Sequence, residues 1–375
     1  MIVAFAYNIR NIYPDPNDPG SQREADYDDP PTIAAIIKHL KKCGYEVIPI
    51  EADEKAYLKL YNSIQKNHGF QSVDELNADM SSSLGKPRLL KRGGCHKNRR
   101  KIDLLFNYSL GINGRDRYSH IPAMCEMLKI PYTGSPPLVQ ATVMNKGKAK
   151  ETLLARGLPT LPFQIFKSSK DKVNPKLNFP LIVKPVAQGS SAGITNKSVV
   201  NGNGELERQV AFILETFKEP ALVEPFLDGR EFSIAMLGNP PKILPIIESD
   251  HSALPKEYLP LDSLEVKWLF EETSGANNLV CPAKIEKSLK QKLENICIKA
   301  WEVLGIFDLC RIDIRCDKNE NPYILDVNSP PGLIPPEVSK SSYFPFAARE
   351  AGINYEELLK TLFSITLKRY KNGEL

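Results

Sequence analysis

Polar and apolar positions alternate with period two through 311–315 (RIDIR) and again through 325–328 (LDVN), the repeat of extended chain. Arg311, Asp313 and Arg315 therefore share one face of a first strand, with Ile312 and Ile314 on the other. Asp326 and Asn328 share a face of a second strand, opposite Leu325 and Val327. The polar stretch 317–322 (DKNENP) supplies the turn of a hairpin. Short apolar runs at 2–7, 45–50 and 103–107 read as buried strands, and those at 162–166, 181–185, 221–226, 231–237 and 242–248 as a later series.

Helical spacing predicts helices over 31–43, 120–130, about 138–156, 283–304 and 345–371. The first opens on Asp28-Asp29-Pro30-Pro31, carries the stripe Ile33, Ile36, Ile37, Leu40, and closes at Gly44; Gly305 stops the helix at 283–304. Strand, helix and strand make a βαβ start. The glycine-containing stretch 109–119 (SLGINGRDRYS) then follows the strand at 103–107, where open α/β sheets place ligands. The region 55–101 fits no simple pattern and reads as an insertion of helix followed by basic loop, and 167–179 and 195–205 read as loops. No internal repeat is visible.

At 375 residues the chain is long enough for two or three domains, and 25% charged with 42% hydrophobic residues is ordinary globular composition. No apolar run reaches the roughly 18–20 residues that span a bilayer, and MIVAFAYNIR reads as a first buried strand rather than a signal peptide. Seven scattered cysteines without a CxxC pair argue against a disulfide framework and a zinc site, and for the cytoplasm. The net charge is +4, yet 85–101 alone holds eight Lys or Arg and no acid, so the remainder sums to about −4. That segment lacks interleaved aromatics and any nucleic-acid module signature, and reads as a solvated loop or a cationic lip for an anionic substrate. RNA binding through it would show as steep salt dependence.

The hairpin brings two carboxylates and a carboxamide beside a guanidinium. Few, hard oxygen ligands suit Mg²⁺ carrying nucleotide phosphates better than an all-protein Ca²⁺ cage, although a surface hairpin with solvated acids has the same alternation. LIVKPVAQGSSAGI (181–194) delivers Lys184 at a strand end, followed by the small residues Gly189, Ser190, Ser191, Ala192 and Gly193. Backbone N–H groups can close around phosphate oxygens there, though the loop is not a GxxxxGK[ST] motif and a simple turn has the same composition. ALVEPFLDGREF (221–232) places Glu224 at the end of one strand and Glu231 at the start of the next, suited to a ribose hydroxyl and an adenine edge, or simply flanking a turn.

In this order, VKP…GSSAG, VEPFLDGREFS, KWL and RIDIR…ILDVNSPPGL resemble the ATP-grasp superfamily, most closely its D-alanine–D-alanine ligase family. The upstream IPYTGSPPL…MNKGKAKETLLARGLPTLPF is similar too, and the resemblance covers roughly 103–360. It implies an α/β (α+β) chain with an ATP-grasp fold: a Rossmann-like pre-ATP-grasp domain over 1–137, a central subdomain over 138–224 and a C-terminal subdomain over 225–375. It further implies that Lys146 and Lys184 contact phosphate and adenine, Glu224 the adenine hinge and Glu231 the ribose. Ser190, Ser191 and Gly193 would belong to the loop over the γ-phosphate, and Lys267 would reach the phosphates from a lid over 265–280. Asp313, Asp326 and Asn328 would hold two Mg²⁺ ions (or Mn²⁺), and Arg311 would face the reacting carboxyl. A carboxylate would be activated by ATP as an acyl phosphate and captured by an amine, in a cytoplasmic enzyme of small-molecule substrates that forms homodimers through its N-terminal domain. The catalytic set would be Arg311, Lys267 and Ser190.

The substrate positions depart from that family. The N-terminal segment that carries its amine-binding glutamate is replaced by a stretch with Glu24, Asp26, Asp28 and Asp29, and the lid tyrosine is Trp268. Counting forward from NSPPGL, the serine for the acceptor's carboxylate becomes Glu337, which would suit a cationic acceptor. Arg115 and Arg117 either clamp an anionic donor or pair with neighbouring acids to shape their loop. These departures point to a carboxylate–amine ligase whose substrate is not D-alanine. The alternatives are a D-alanine–D-alanine ligase proper and a non-catalytic nucleotide-binding scaffold.

Overall fold

The computed structural model describes residues 1–64, 102–270 and 278–373 apart from Pro16, Pro19 and Ile112. The basic stretch 85–101, most of the insertion expected at 55–101, and the 271–277 part of the expected lid lie outside the described residues.

In chain order the elements begin with β1 (Ile2–Tyr7), α1 (Pro30–Lys42), β2 (Glu46–Glu51), α2 (Ala56–Ile64), β3 (Leu104–Asn107) and α3 (His120–Leu128). The chain continues with α4 (Pro137–Met144), α5 (Lys146–Ala155), β4 (Gln164–Phe166), β5 (Leu181–Pro185), β6 (Val199–Val200), α6 (Asn203–Phe217) and β7 (Ala221–Pro225). The last part holds β8 (Glu231–Gly238), β9 (Pro241–Ile243), β10 (Ile247–Ser249), β11 (Leu279–Val280), α7 (Lys287–Leu304), β12 (Leu309–Cys316), β13 (Pro322–Asn328), α8 (Tyr343–Glu350) and α9 (Tyr355–Lys371). Among the described residues no helix is long and apolar enough to cross a membrane.

The first sheet is parallel, in the order β2-β1-β3. Parallel strands are covered on both faces, and β1 shows it. Val3 and Phe5 pack toward Ile36 and Leu40 of α1, while Ala4 and Ala6 pack toward Ile121 and Cys125 of α3. Asp29 caps α1 through a bond from the Thr32 amide (2.9 Å), with prolines in its first turn. An antiparallel sheet follows, in the order β4-β7-β5-β6, and then a six-stranded sheet ordered β11-β10-β8-β12-β13 with β9 on β8. The hidden face of this last sheet (Phe232, Ile234, Ile312, Ile314, Ile324, Val327) meets Leu293, Cys297 and Trp301 of α7. The opposite face is left to the functional groups.

Four readings of the chain are revised. The helix expected at 138–156 breaks into α4 and α5 because Asn145 turns extended (φ −87°, ψ 98°) and caps α5 by accepting from the Lys148 amide. The strand at 242–248 divides into β9 and β10 around Pro245, which has no N–H to give a ladder. The helical tail divides at Gly352 (φ +79°), after which Asn354 and Glu357 form a reciprocal cap on α9. Helix α6 is new. It begins inside the stretch read as a 195–205 loop, and its buried residues Leu206, Val210, Ile213 and Phe217 form a helical stripe that was present in the sequence.

The sheet arrangement makes the two faces of β12 unequal. Ile312 is fully buried among α7 and β8, so Ile312→Ala should lower stability by about 2–5 kcal/mol, as large-to-small core changes do. Urea unfolding measures it; a loss below about 0.5 kcal/mol, the usual range for surface positions, would mean that this face of the hairpin is not core.

Candidate active site

Strands β8, β12 and β13 lie side by side, and their register sets the polar face. Asp313 stands opposite Ser233 on one side and Asp326 on the other, Arg311 opposite Asn328, and Arg315 opposite Glu231. Asp313 takes two bonds from the Arg311 guanidinium (2.8 Å each), one from Ser233 Oγ (2.7 Å) and one from Asn328 Nδ2 (2.8 Å). Asp326 lies 3.1 Å from Lys146 Nζ. Burial alone would raise its carboxyl, but Lys146, Lys184 and the Val327 amide together outweigh burial and hold it below the ordinary value. The register shifts just after Asp313, leaving Leu325 as the extra residue, and this side chain lines a narrow slot instead of following the strict alternation.

No group of three His, Cys, Asp or Glu side chains gathers as a metal cage among the described residues. Two carboxylates and a carboxamide on one face are instead an all-oxygen, partial set. That composition fits Mg²⁺, which keeps water and phosphate oxygens in the rest of its shell.

The slot, of about 90 Å³, lies between the two antiparallel sheets. Its walls are apolar (Ile182, Ile194, Leu261, Leu325), and Lys184, Glu224 and Glu231 stand at its polar edge. Glu224 is fully buried between Lys150 Nζ (2.7 Å) and Lys184 Nζ (2.5 Å). Burial would raise the Glu224 carboxyl, yet the two ammonium groups keep it below its usual value. For Lys184 burial is likewise overcome by Glu224 and the pKa rises, whereas burial wins at Lys150 and lowers it. Lys150 was not anticipated. It lies one turn past Lys146 on α5, an i,i+4 relation that puts both on one face. Glu231 accepts from Arg315 (2.6 Å), and burial together with the nearby Asp262 raises its carboxyl.

A larger cleft of about 430 Å³ opens beside the slot. Lys146, Ser190, Lys267, Trp268, Arg311, Asp326 and Asn328 all line it, so the structure gathers residues that lie as much as 182 positions apart in the chain. The small-residue loop reaches the cleft by unusual backbone: Ser190 and Ser191 take φ of 46° and 59°. Its bonds are made on all sides. Gly189 N donates to Asp26 (2.9 Å), Gly193 N to Gln22 (3.0 Å), Ser191 Oγ to the Asp262 carbonyl (2.6 Å), and Trp268 Nε1 to the Ser190 carbonyl (3.5 Å). A Cβ on Gly189 would sit 2.3 Å from an Asp26 oxygen, so only glycine allows this approach.

Asp262 and Tyr343 were also missed, since neither belongs to a recognisable motif. Asp262 accepts from Tyr343 Oη (2.6 Å) and Ser249 Oγ (3.0 Å) and pairs with His251 (2.9 Å). The Tyr343 ring in turn faces the Arg311 guanidinium at 5.0 Å and the Lys267 ammonium at 5.8 Å. Burial would lower the His251 pKa, but its bond to Asp262 and the charge of Glu231 raise it. Asp28, also on the cleft wall, is buried against Tyr108, and burial pushes its carboxyl up to about 7.

Asp313, Ser191 and Gly193 stand behind the lining of the cleft, and of the residues anticipated for the substrate three, Glu337, Arg115 and Arg117, are not brought to it. Glu337 bonds His39 Nε2 at 2.6 Å instead, because a turn closed by the Val338 and Ser339 amides on the Pro335 carbonyl swings it outward. Val338, Ser339, Ser341, Ser342 and Tyr343 line the cleft in its place, so counting forward from NSPPGL stopped short. Arg115 is exposed. Arg117 lies 3.7 Å from Asp26, the loop-shaping alternative of its two readings.

Comparison with known proteins shows the family and the fold to which this chain is similar. The family model described as D-ala D-ala ligase C-terminus matches residues 153–364. The uncharacterized protein y4sG of Sinorhizobium fredii is 30% identical over 96% of this chain and 92% of its own length. The D-alanine–D-alanine ligase of Pelotomaculum thermopropionicum is 30% identical over 72% of this chain and 81% of its own. The crystal structure of the D-alanine–D-alanine ligase of Bacillus anthracis complexed with ATP shares the fold at a TM-score of 0.65 and 21% identity, covering 100% of this chain and 99% of that one.

Removing the charge between two buried lysines leaves them facing each other. Glu224→Gln should therefore cost about 3–5 kcal/mol of stability, the usual result of breaking a buried pair from one side. Denaturant unfolding reads this, and an unchanged midpoint would contradict the buried cluster.

Proposed function

This chain belongs to the D-alanine–D-alanine ligase family and is an ATP-grasp ligase forming a carbon–nitrogen bond; from that premise we propose that it activates a carboxylate other than D-alanine as an acyl phosphate. The observation that carries the reading is one continuous cleft in which Lys267, Arg311, Asp326 and Asn328 meet, beside the slot edged by Lys184 and Glu224.

In this reading the adenine enters the apolar slot, with Lys184 and Lys146 on the phosphates and Glu231 toward the ribose. The loop at Ser190, Ser191 and Gly193 covers the terminal phosphate. Asp313, Asp326 and Asn328 would hold the Mg²⁺ ions, which supply charge neutralisation of the transferred phosphoryl group. A substrate carboxylate oxygen attacks the γ-phosphorus, the bond to the β-phosphate oxygen breaks and ADP leaves. Lys267 stabilises the charge on the moving group. The acceptor nitrogen then attacks the acyl carbon, the carbon–oxygen bond to phosphate breaks, and inorganic phosphate and the amine's proton depart. Arg311, steadied by Asp313 and the Tyr343 ring, meets the oxyanion of that second step. Trp268 and the Ser190 loop exclude water from the acyl phosphate.

A substrate other than D-alanine is supported by the part of the cleft wall that Arg10, Asp26, Asp28 and Asp29 line. A methyl side chain would desolvate the Arg10 guanidinium, which has no ion pair within 4 Å among the described residues, without pairing it. Glu337 no longer argues in the same direction, and Ser341 with Ser342 on the acceptor side favours a second substrate that carries a carboxylate.

Phosphate release from Mg-ATP, screened against mixtures of amino acids, small peptides and polyamines, tests the proposal. Release should require a carboxylate and an amine together, and D-alanine alone should be a poor pair. Asp313→Asn should cut the rate by at least about 100-fold, since one anionic metal and arginine partner is worth roughly 3 kcal/mol in a water-poor site. Wild-type-like turnover by that variant would remove the metal assignment, and efficient D-alanine dipeptide synthesis would remove the substrate argument.

A further inference from the structure

Arg10 leaves the end of β1 and lines the cleft beside Asp28. Its guanidinium carbon lies 5.0 Å from the centre of the Tyr13 ring and 4.8 Å from that of Trp268, two rings that meet edge to face at 5.3 Å. One guanidinium nitrogen donates to the Tyr27 carbonyl (3.1 Å), and the Arg10 backbone amide donates to the Asp28 carbonyl (2.8 Å). The plane is thus held by two rings and along one edge. Other arginines at the site are spent on acids: Arg311 on Asp313, Arg315 on Glu231, Arg117 on Asp26. The Arg10 charge draws the Asp28 carboxyl down, but among the described residues Arg10 forms no ion pair within 4 Å.

A guanidinium fixed in this way keeps donors in a rigid fork that matches a planar or tetrahedral oxyanion. We propose that Arg10 binds a second acidic group of the activated substrate, so that the donor is an amino acid with an acidic side chain. This rests on the ligase reading above and deepens it. The reacting carboxylate lies at Lys267 and Arg311, and the second acid at Arg10. The substrate's ammonium group faces Asp28 and Asp29, whose carboxylates line the same end of the cleft. Carboxylate and phosphomonoester side chains share this chemistry, and matched pairs separate them.

The experiment compares glutamate with glutamine, aspartate with asparagine and O-phosphoserine with serine, each with Mg-ATP and a pool of amines. At least one acidic member should exceed its neutral partner by about 10- to 100-fold in kcat/KM, the usual weight of a charge-assisted contact. Arg10→Gln should reduce that ratio to within about threefold, through KM rather than kcat. Arg10→Lys, which keeps the charge but loses the fork, should recover part of it. A carboxylate-only preference names a dicarboxylic donor, and a phosphate-only preference names a phosphorylated one.

A preference for neutral members, or a ratio unmoved by Arg10→Gln, would overturn the inference while leaving the ligase reading intact. If no pair releases phosphate, the ligase reading itself fails. The site is then read by thermal shift with glutamate, aspartate or O-phosphoserine against their neutral partners. A larger shift with an acid, lost in Arg10→Gln, supports an acid site at Arg10, and equal or absent shifts overturn it.

Discussion

The site depends on the two unequal faces of β12. Its Ile312 and Ile314 are locked against α7 by burial, so Arg311, Asp313 and Arg315 have no choice but to take the opposite, polar face of the sheet. A slip of one residue would bury two guanidinium groups and a carboxylate and expose two isoleucines, an exchange that costs far more than any single hydrogen bond returns. The neighbouring strands inherit that register. Ser233 of β8 and Asn328 of β13 both reach the Asp313 carboxylate only because the ladders bring the first opposite it and the second two residues along on the same face.

Charge is organised around this frame in pairs. Glu224 lies between Lys150 and Lys184, Asp326 faces Lys146, Glu231 takes Arg315, and Asp262 collects His251, Tyr343 and Ser249. Each pairing offsets the desolvation of groups that would otherwise be expensive inside the protein. Asp262 also joins two functions, since its carbonyl holds Ser191 of the small-residue loop while its carboxylate holds the tyrosine beneath Arg311. The loop that would close over phosphate and the cation that would meet the acyl oxygen therefore share one support. The N-terminal segment adds a third tie through Asp26 on Gly189 and Gln22 on Gly193.

Much of this was legible in the sequence because period and order are local signals. The parallel start, the hairpin and the loop at 189–193 follow from runs of a few residues, whereas the grouping of Lys146 and Lys267 with Arg311, Asp326 and Asn328, which line one cleft, was implied by the resemblance that the ordered motifs carry. What escaped was set by contacts between distant segments. Lys150 looks like one more lysine in KGKAKE until Glu224 is folded against it. Asp262 and Tyr343 are 81 positions apart and acquire meaning only in each other's company. Glu337 misled because distance along the chain from NSPPGL is no guide once Pro335 turns the backbone, and Arg10 was overlooked because its aromatic partner Trp268 lies 258 positions away.

The central claim is that a carboxylate oxygen is joined to the γ-phosphorus before the amine attacks. Its most direct measurement is the fate of that oxygen, followed with an ¹⁸O-labelled carboxylate substrate that turns over with Mg-ATP and an amine. Mass spectrometry of the inorganic phosphate should find one ¹⁸O per amide formed. Label-free phosphate, or label carried into AMP instead, would contradict the acyl-phosphate account.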